Sequence, residues 1–424
     1  MIIRARTVVT MDEAPIENGA VAVSENRIVD VGKFDEIKAR NAGEIIDLGE
    51  QALLPGLVNA HCHLDYTCLR GKIPPPKSFT DWISAINSEK AKLSAKDYLG
   101  SINEGFSQAK RFGTTTVANL TAFPDLIPQI TPPIRTWWFA ELIDVRGPER
   151  VNELVDRAIK SLVSRRPAPL LSEAEVNARW GLAPHALFTA SANLYRHCEE
   201  VALREGILLT THLAESREEM EMFHDASGSL YEFLKAIGRP MDDCGNETPL
   251  GLFLGAPAPR ALSHWIVAHL NELTESDFEL LERSRTQFHV VHSPRSHDYF
   301  NHSQFVFERL HSLGFNICLG TDSLASNKNL SLFAEMRAFQ KQFPGVSPEE
   351  ILKMVTVNPA IALQQENTIG RIRLGFYADL IAIPCGETGN PFEQLVAFDG
   401  LIDWTMVNGK HPADAQGSGN LPAV

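Results

Sequence analysis

Apolar and polar residues alternate through IIRARTVV, GAVAVSENRIVDVG and EIIDLGEQALLP at the start of the chain. A period of two puts every second side chain on one face, so these runs predict short strands, punctuated by Gly, Asn and Asp as in a β-meander. From Gly56 onward the pattern changes to apolar strand-like runs separated by longer amphipathic stretches, the signature of βα units around a parallel sheet. The runs are LLPGLVNAH (53–61), TTTVANL (114–120), RTWWFAELI (135–143), VNARWGLAPH (176–185), ILLTTHLAE (207–215), ALSHWIVAH (261–269), TQFHVVHSP (286–294) and NICLGTDS (316–323). That makes eight, the strand number of the closed α/β barrel. A helical stretch then runs to Leu363, after which GRIRLGFYADLIAIP and LIDWTMVNGK return to alternation. The expected organisation is an α/β barrel over residues 55–363 and a small β module composed of residues 1–54 and 364–424. Residues 410–424, rich in Gly, Pro and Ala, read as a loose tail.

Composition narrows the function. A chain of 424 residues accommodates a barrel of roughly 250–300 residues and a smaller module. Hydrophobic residues make up 44% and charged residues 22%, and no apolar stretch reaches the ~20 residues that cross a bilayer. The net charge of -14 argues against a nucleic-acid or anionic-membrane surface, which leaves a small molecule as the expected partner. Cys62, Cys68, Cys198, Cys244, Cys318 and Cys385 are scattered without a CxxC, so neither a disulfide framework nor a zinc ribbon is expected. The N-terminus lacks the apolar core of a signal peptide, and a reducing, cytoplasmic location is the expectation.

The chemistry starts from His61 and His63. Two residues apart on a strand, they share a face, and at a strand's C-terminal end that face looks into the barrel mouth. Alone, an HxH pair is weak, because histidine pairs also occur on surfaces and in hydrogen-bonded cores. His212, however, ends ILLTTH and Asp322 ends ICLGTD, so three imidazoles and a carboxylate can meet from three strand ends. Such donors suit zinc, iron(II) or a similar ion better than calcium or magnesium. The bland alternatives are a packed core histidine at 212 and a helix N-cap at 322.

With these residues in place, PGLVNAHCHLD, GLAPHALFTAS, THLAES, AHLNE, LGTDSLASN and the closing NPAIAL…GRIRLGFYADLI resemble the amidohydrolase superfamily over almost the whole chain. Within it the chain is most similar to the branch of nucleobase, nucleoside and triazine aminohydrolases and chlorohydrolases. The resemblance implies a distorted (β/α)8 TIM barrel with a composite β-sandwich, and one catalytic divalent metal, zinc first with iron or manganese as alternatives. It implies His61, His63, His212 and Asp322 as ligands, and Glu215, His269 and Asp322 as groups that move protons. For the sixth-strand histidine His264 competes with His269, and Glu215 also reads as a solvated charge at a helix start. The fourth strand, ARWGLAPH, offers no lysine for carbamylation, which disfavours the two-metal members.

Substrate contacts are implied for His185, and for Trp82 and Glu89 on the helix after the first strand. The seventh-strand segment HVVHSPRSHDYFNHSQF departs from the HNPxSN pattern of adenosine-type deaminases and clusters His289, His292, His297 and His302 with Arg295. Arg295 and His297 are expected to read a ring substituent, ribose or carboxylate. The implied activity is hydrolytic deamination of an amino-substituted heterocycle, purine nucleoside-like and of aminofutalosine or adenosine type, by a homodimer. A chlorohydrolase, a guanine-type deaminase, a cyclic-amide hydrolase and a non-catalytic scaffold are the alternatives.

Overall fold

A computed structural model of the protein describes residues 1–164, 179–255, 262–283 and 288–411. The expected tail beyond residue 411, and the first residues of the expected fourth, sixth and seventh barrel strands (176–178, 261 and 286–287), lie outside the described residues. In chain order the strands are β1 (Ile2–Val8), β2 (Ile16–Ser24), β3 (Arg27–Lys33), β4 (Ile45–Asp47), β5 (Gln51–Pro55), β6 (Leu57–His63), β7 (Thr114–Thr121) and β8 (Arg135–Leu142). They continue with β9 (Trp180–Pro184), β10 (Leu208–Leu213), β11 (Trp265–His269), β12 (His289–His292), β13 (Ile317–Leu319), β14 (Asp322–Ser323), β15 (Leu380–Pro384) and β16 (Trp404–Met406). Two compact units result, one of Met1–Asn59, Ser107–Val117 and the described residues from Ser331, the other of Ala60–Phe106 and Ala118–Leu330.

One sheet is built from both ends of the chain, as the alternating runs anticipated. Its order is β16-β15-β5-β1-β2-β3, with β4 also on β1, and β15 pairs antiparallel with β5 from Leu380↔Pro55 to Pro384↔Gln51. The two-residue period of β1 divides its side chains between two cores. Ile3 and Ala5 pack with Val21, Leu53, Leu380 and Met406, whereas Ile2 packs with Ala20, Ala22 and Ile37 of the helix Phe34–Arg40.

The other sheet has the order β13-β12-β11-β10-β9-β8-β7-β6-β14. Every residue of β6 through β11 is buried, as expected of strands covered on both faces. The covering helices supply the apolar stripe. Ala192–Glu205 buries Leu194, Tyr195, Cys198, Val201 and Ala202 at helical spacing, is capped by Ser191, and stops at Gly206, whose φ of 64° favours glycine. Each such fully buried Leu or Val contributes roughly 1.5–3 kcal/mol.

The ring closes through an interrupted eighth strand. β13 pairs with β12, β14 pairs with β6, and the two pieces are the single run expected at 316–323. At the switch of partners Gly320 N–H donates to the His292 carbonyl (3.0 Å) and Thr321 N–H to the His61 carbonyl (3.1 Å). A Cβ on Gly320 would lie 2.8 Å from the His61 carbonyl oxygen, so only glycine passes this close to the first strand. Among the described residues no helix is long and apolar enough to cross a membrane.

Candidate active site

The strand ends bring the sequence-selected histidines together. His61 and His63 lie on one face of β6, and the register Asp322↔Cys62 sets β14 beside them. The register Leu213↔His269 between β10 and β11 puts His212 and His269 one step apart at neighbouring strand ends. Two overlapping triads follow, His61/His212/His269 and His61/His63/Asp322, each with donor atoms within 4.8 Å of one another and all buried. His63 Nε2 lies 3.2 Å from His212 Nε2, and Asp322 Oδ1 lies 3.8 Å from the Nε2 atoms of both His61 and His63.

These donors fit a single divalent cation. Two nitrogen ligands ~2.0–2.1 Å from a tetrahedral ion stand about 3.3 Å apart, close to the separation of the two Nε2 atoms. His212 Nδ1–H donates to the His185 carbonyl (2.9 Å), which leaves the Nε2 lone pair for a metal, the usual way of orienting a ligating imidazole. Burial and neighbouring histidines hold His61, His63 and His269 well below the ordinary imidazole pKa, so these rings are in the neutral, ligating form. Buried His269 Nε2 has no hydrogen-bond partner among the described residues and lies 3.6 Å from Glu215 Oε1.

The backbone bends where these side chains enter. Ala214, His269, Leu270 and Asp322 adopt φ of 49°, 76°, 54° and 54°, a region that costs an L residue roughly 1 kcal/mol or more. The concentration of left-handed residues at three strand ends belongs to a mouth whose geometry is imposed by its surroundings. Asp322 Oδ2 accepts from Ser296 Oγ (2.6 Å) and Ser326 Oγ (3.2 Å), and Oδ1 from its neighbour's amide, Ser323 N (2.7 Å). Burial, then the charges of Asp322 and Glu219, push the Glu215 carboxyl well above the usual range. A buried carboxyl that holds its proton more tightly than a free one is suited to donate it.

Above this centre opens a cavity of about 1060 Å³, lined by His63, His185, His212, Glu215, His269 and Asp322 together with Trp82, Phe79 and Phe188. His185 is half-buried, with its ring 4.8 Å from that of His212 and Nδ1 2.7 Å from Thr189 Oγ1. Trp82 stacks on Phe79 and meets Phe300 edge to face. Glu89, Arg295 and His297 do not line this cavity. Glu89 pairs with Lys92, Arg295 donates to Asn329 Oδ1 (2.7 Å), and His297 meets Asn271 Oδ1 (3.2 Å). His264 precedes β11, at the opposite end of that strand from His269.

Glu141, Tyr66 and Lys90 are among the lining residues that escaped the sequence reading. Glu141, a lone carboxylate in the apolar run RTWWFAELI, is buried with Oε1 3.7 Å from His63 Nδ1 and 4.0 Å from His185 Nε2. A charge in a fully buried strand was the available signal. Tyr66 stacks near-parallel on His63, and Lys90 holds its ammonium 4.7 Å from the Tyr66 ring centroid. Nothing in their spacing marks them.

Residues 52–411 match the amidohydrolase family. The chain belongs to it. Among curated relatives of this amidohydrolase, a 5-methylthioadenosine/S-adenosylhomocysteine deaminase of Nitratidesulfovibrio vulgaris is 30% identical over 413 residues, covering 90% of this chain and 83% of the relative. Among solved structures, an adenosine deaminase of Xanthomonas campestris with bound zinc superposes with a TM-score of 0.79 at 23% identity, covering 97% and 92% of the two chains. The aminofutalosine deaminase of Helicobacter pylori, in complex with methylthio-coformycin, gives 0.81 at 20% identity, covering 97% and 99%. The amidohydrolase is therefore a metal-dependent hydrolase with its donors at the mouth of a distorted barrel.

Proposed function

We propose that this amidohydrolase is a one-metal deaminase that replaces the exocyclic amine of a purine-nucleoside-like heterocycle by oxygen. The observation that carries the reading is the meeting of His63 Nε2 and His212 Nε2 at 3.2 Å, with the Glu215–His269 contact of 3.6 Å beside them. His61, His63, His212 and Asp322 would hold the cation, and three imidazoles with one carboxylate favour zinc. Once bound, such an ion supplies the acidification of water, from a pKa of about 15.7 toward ~7.

The chain's own groups do the rest. Asp322 and His269 accept and orient the proton released by the attacking water. The Glu215 carboxyl, held protonated by its burial, delivers its proton to the ring nitrogen next to the reacting carbon, so that negative charge does not accumulate there. A carbon–oxygen bond forms, the carbon–nitrogen bond breaks, and the amine leaves as ammonia after a second proton transfer. His185 and Glu141 flank the reacting position, and Trp82 closes the cavity as an aromatic wall.

The substrate class is supported by two features. A cavity of about 1060 Å³ exceeds what a bare base or triazine fills, and the curated relative named above acts on substituted adenosines. In addition, Tyr66 Oη and Trp82 Nε1 are buried polar atoms without a hydrogen-bond partner among the described residues, in side chains that line the cavity. Neither atom has accessible surface, so what these two side chains offer a nucleoside is an aromatic ring to pack against its base. The test is ammonia release by zinc-loaded protein over aminopurine nucleosides, guanine, pterins and amino- and chlorotriazines, with chloride and ring opening followed in parallel. Turnover of 5-methylthioadenosine or a related nucleoside supports the reading. Chloride release or ring opening without ammonia contradicts it.

A further inference from the structure

The histidines and arginine grouped between residues 289 and 302 are not used by the chemistry above. The short helix Pro294–Phe300 nevertheless reaches, through two consecutive residues, the carboxylate of Asp322 and, by way of Asn271, the backbone of Glu215. Ser296 Oγ donates to Asp322 Oδ2 at 2.6 Å. His297 Nδ1 lies 3.2 Å from Asn271 Oδ1, and Asn271 Nδ2 donates to the Glu215 carbonyl oxygen at 2.9 Å. The second bond fixes the orientation of the Asn271 amide, so its oxygen faces His297 and the contact is made by the tautomer with its proton on Nδ1, in a ring that the Ser303 backbone also bonds. The amide side of Glu215 is already held, since its N–H donates to Glu219 Oε2 at 2.7 Å and that of Ala214 to Glu219 Oε1 at 3.2 Å. Ser296, His297 and Asn271 are all buried, at 1%, 7% and 2% exposure, and neither Ser296 nor His297 lines the cavity.

We propose that Ser296 and His297 are a positioning pair: Ser296 fixes the carboxylate of Asp322, and His297, through Asn271, fixes the backbone from which Glu215 projects, so that the group that takes the water's proton and the group that protonates the ring nitrogen are both held about one reacting carbon. The inference rests on the reading of Glu215 as proton donor and Asp322 as proton acceptor. It departs from the sequence expectation that His297 touches substrate. The chemistry of the pair explains why the segment is polar yet buried. A displacement of about 1 Å at a proton-transfer group costs up to ~100-fold in rate, and an N–H on His297 is what keeps the Asn271 amide turned toward Glu215.

The experiment compares His297→Leu, His297→Asn and Ser296→Ala in zinc-loaded protein, with 5-methylthioadenosine as the probe and metal content measured on each preparation. His297→Leu is expected to lower kcat at least tenfold with KM within twofold and metal content unchanged. His297→Asn, which returns an N–H near the position of Nδ1, restores most of the loss. Ser296→Ala, with Asp322 left to Ser326, lowers kcat by a few-fold, again with KM and metal unchanged. In a Glu215→Gln background His297→Leu causes no further loss, because the group it positions is already disabled. A crystal structure of metal-free His297→Leu supplies a readout independent of turnover, with the Asn271–Glu215 bond expected to be lost. A rise in KM at unchanged kcat, a loss of metal, an equal loss in the Glu215→Gln background, or an undisturbed Asn271–Glu215 bond overturns the inference. Full activity of Glu215→Gln by itself, or no ammonia from the probe with unmodified enzyme, overturns instead the reading on which it rests.

Discussion

His63 Nε2 and His212 Nε2 face each other across 3.2 Å, with His212 Nδ1 committed to the His185 carbonyl. Since His212 Nδ1 carries the proton, the His212 nitrogen in this pair offers a lone pair, and a cation between the rings satisfies both. Burial keeps His61 and His63, two of the three proposed imidazole ligands, well below the ordinary value of 6.5, so metal uptake need not displace protons from these two in mildly acidic solution. Three histidines with ordinary pKa values would release about two protons per metal at pH 6. Calorimetric titration of metal-free protein with zinc at that pH, in buffers of different ionisation enthalpy, is expected to give fewer than two. Release of two or more would contradict the neutral assignment.

Gly320 is where the eighth strand exchanges one neighbour for the other, against the backbone of His61. A methyl group there would stand 2.8 Å from the His61 carbonyl oxygen and 2.9 Å from its Cβ. Overpacking of this kind costs roughly 1–3 kcal/mol, and here the strain falls on a candidate ligand. Gly320→Ala is expected to lower the melting temperature and to weaken zinc retention during dialysis. An unchanged melting temperature with full zinc content would show that the approach is not tight.

Glu219 carries the clearest pH signature. Its carboxyl is fully buried and accepts the amides of Ala214 and Glu215, and burial pushes its pKa up from 4.5 to about 7. Between those values the folded chain holds a proton that the unfolded chain has released, so this group's contribution to stability falls as pH rises from 4.5 toward 7 and is constant above. In Glu219→Gln that slope disappears. The difference in melting temperature, variant minus wild type, should therefore move in favour of the variant across that window. A difference independent of pH would refute the assignment. Glu219→Ala is more damaging at every pH, because each buried amide left unpaired costs about 1–3 kcal/mol.

Much of this was legible in the chain. His61 and His63 are separated by one strand period, and His212 and Asp322 each terminate an apolar run, so their convergence followed from barrel geometry alone. The split of the eighth strand did not follow, because NICLGTDS reads as one run and the exchange of partners depends on β6, more than 250 residues away. The left-handed backbone at Ala214, His269 and Asp322 was equally hidden, since even Asp and His, the types enriched at positive φ, adopt it only uncommonly. Short helices limit sequence reading in another way. Which of Glu89, Lys90, Arg295, Ser296 or His297 faces the cavity and which faces a neighbouring element is set by packing, and one helical step of 100° reverses the answer. The role of Glu219, which donates its amide to Ser216 Oγ and holds the amides of Ala214 and Glu215 with its carboxyl, was not read from the sequence.

We propose that a single metal and the Glu215 carboxyl perform separate halves of one deamination. Ammonia release from 5-methylthioadenosine, measured on wild type, Glu215→Gln and His212→Ala preparations whose zinc content is determined alongside, tests it most directly. The account predicts about one zinc per chain and full turnover for wild type, one zinc with turnover reduced roughly 10²–10⁴-fold for Glu215→Gln, and neither zinc nor turnover for His212→Ala. Glu215→Gln at wild-type rate, or His212→Ala active without metal, would contradict it.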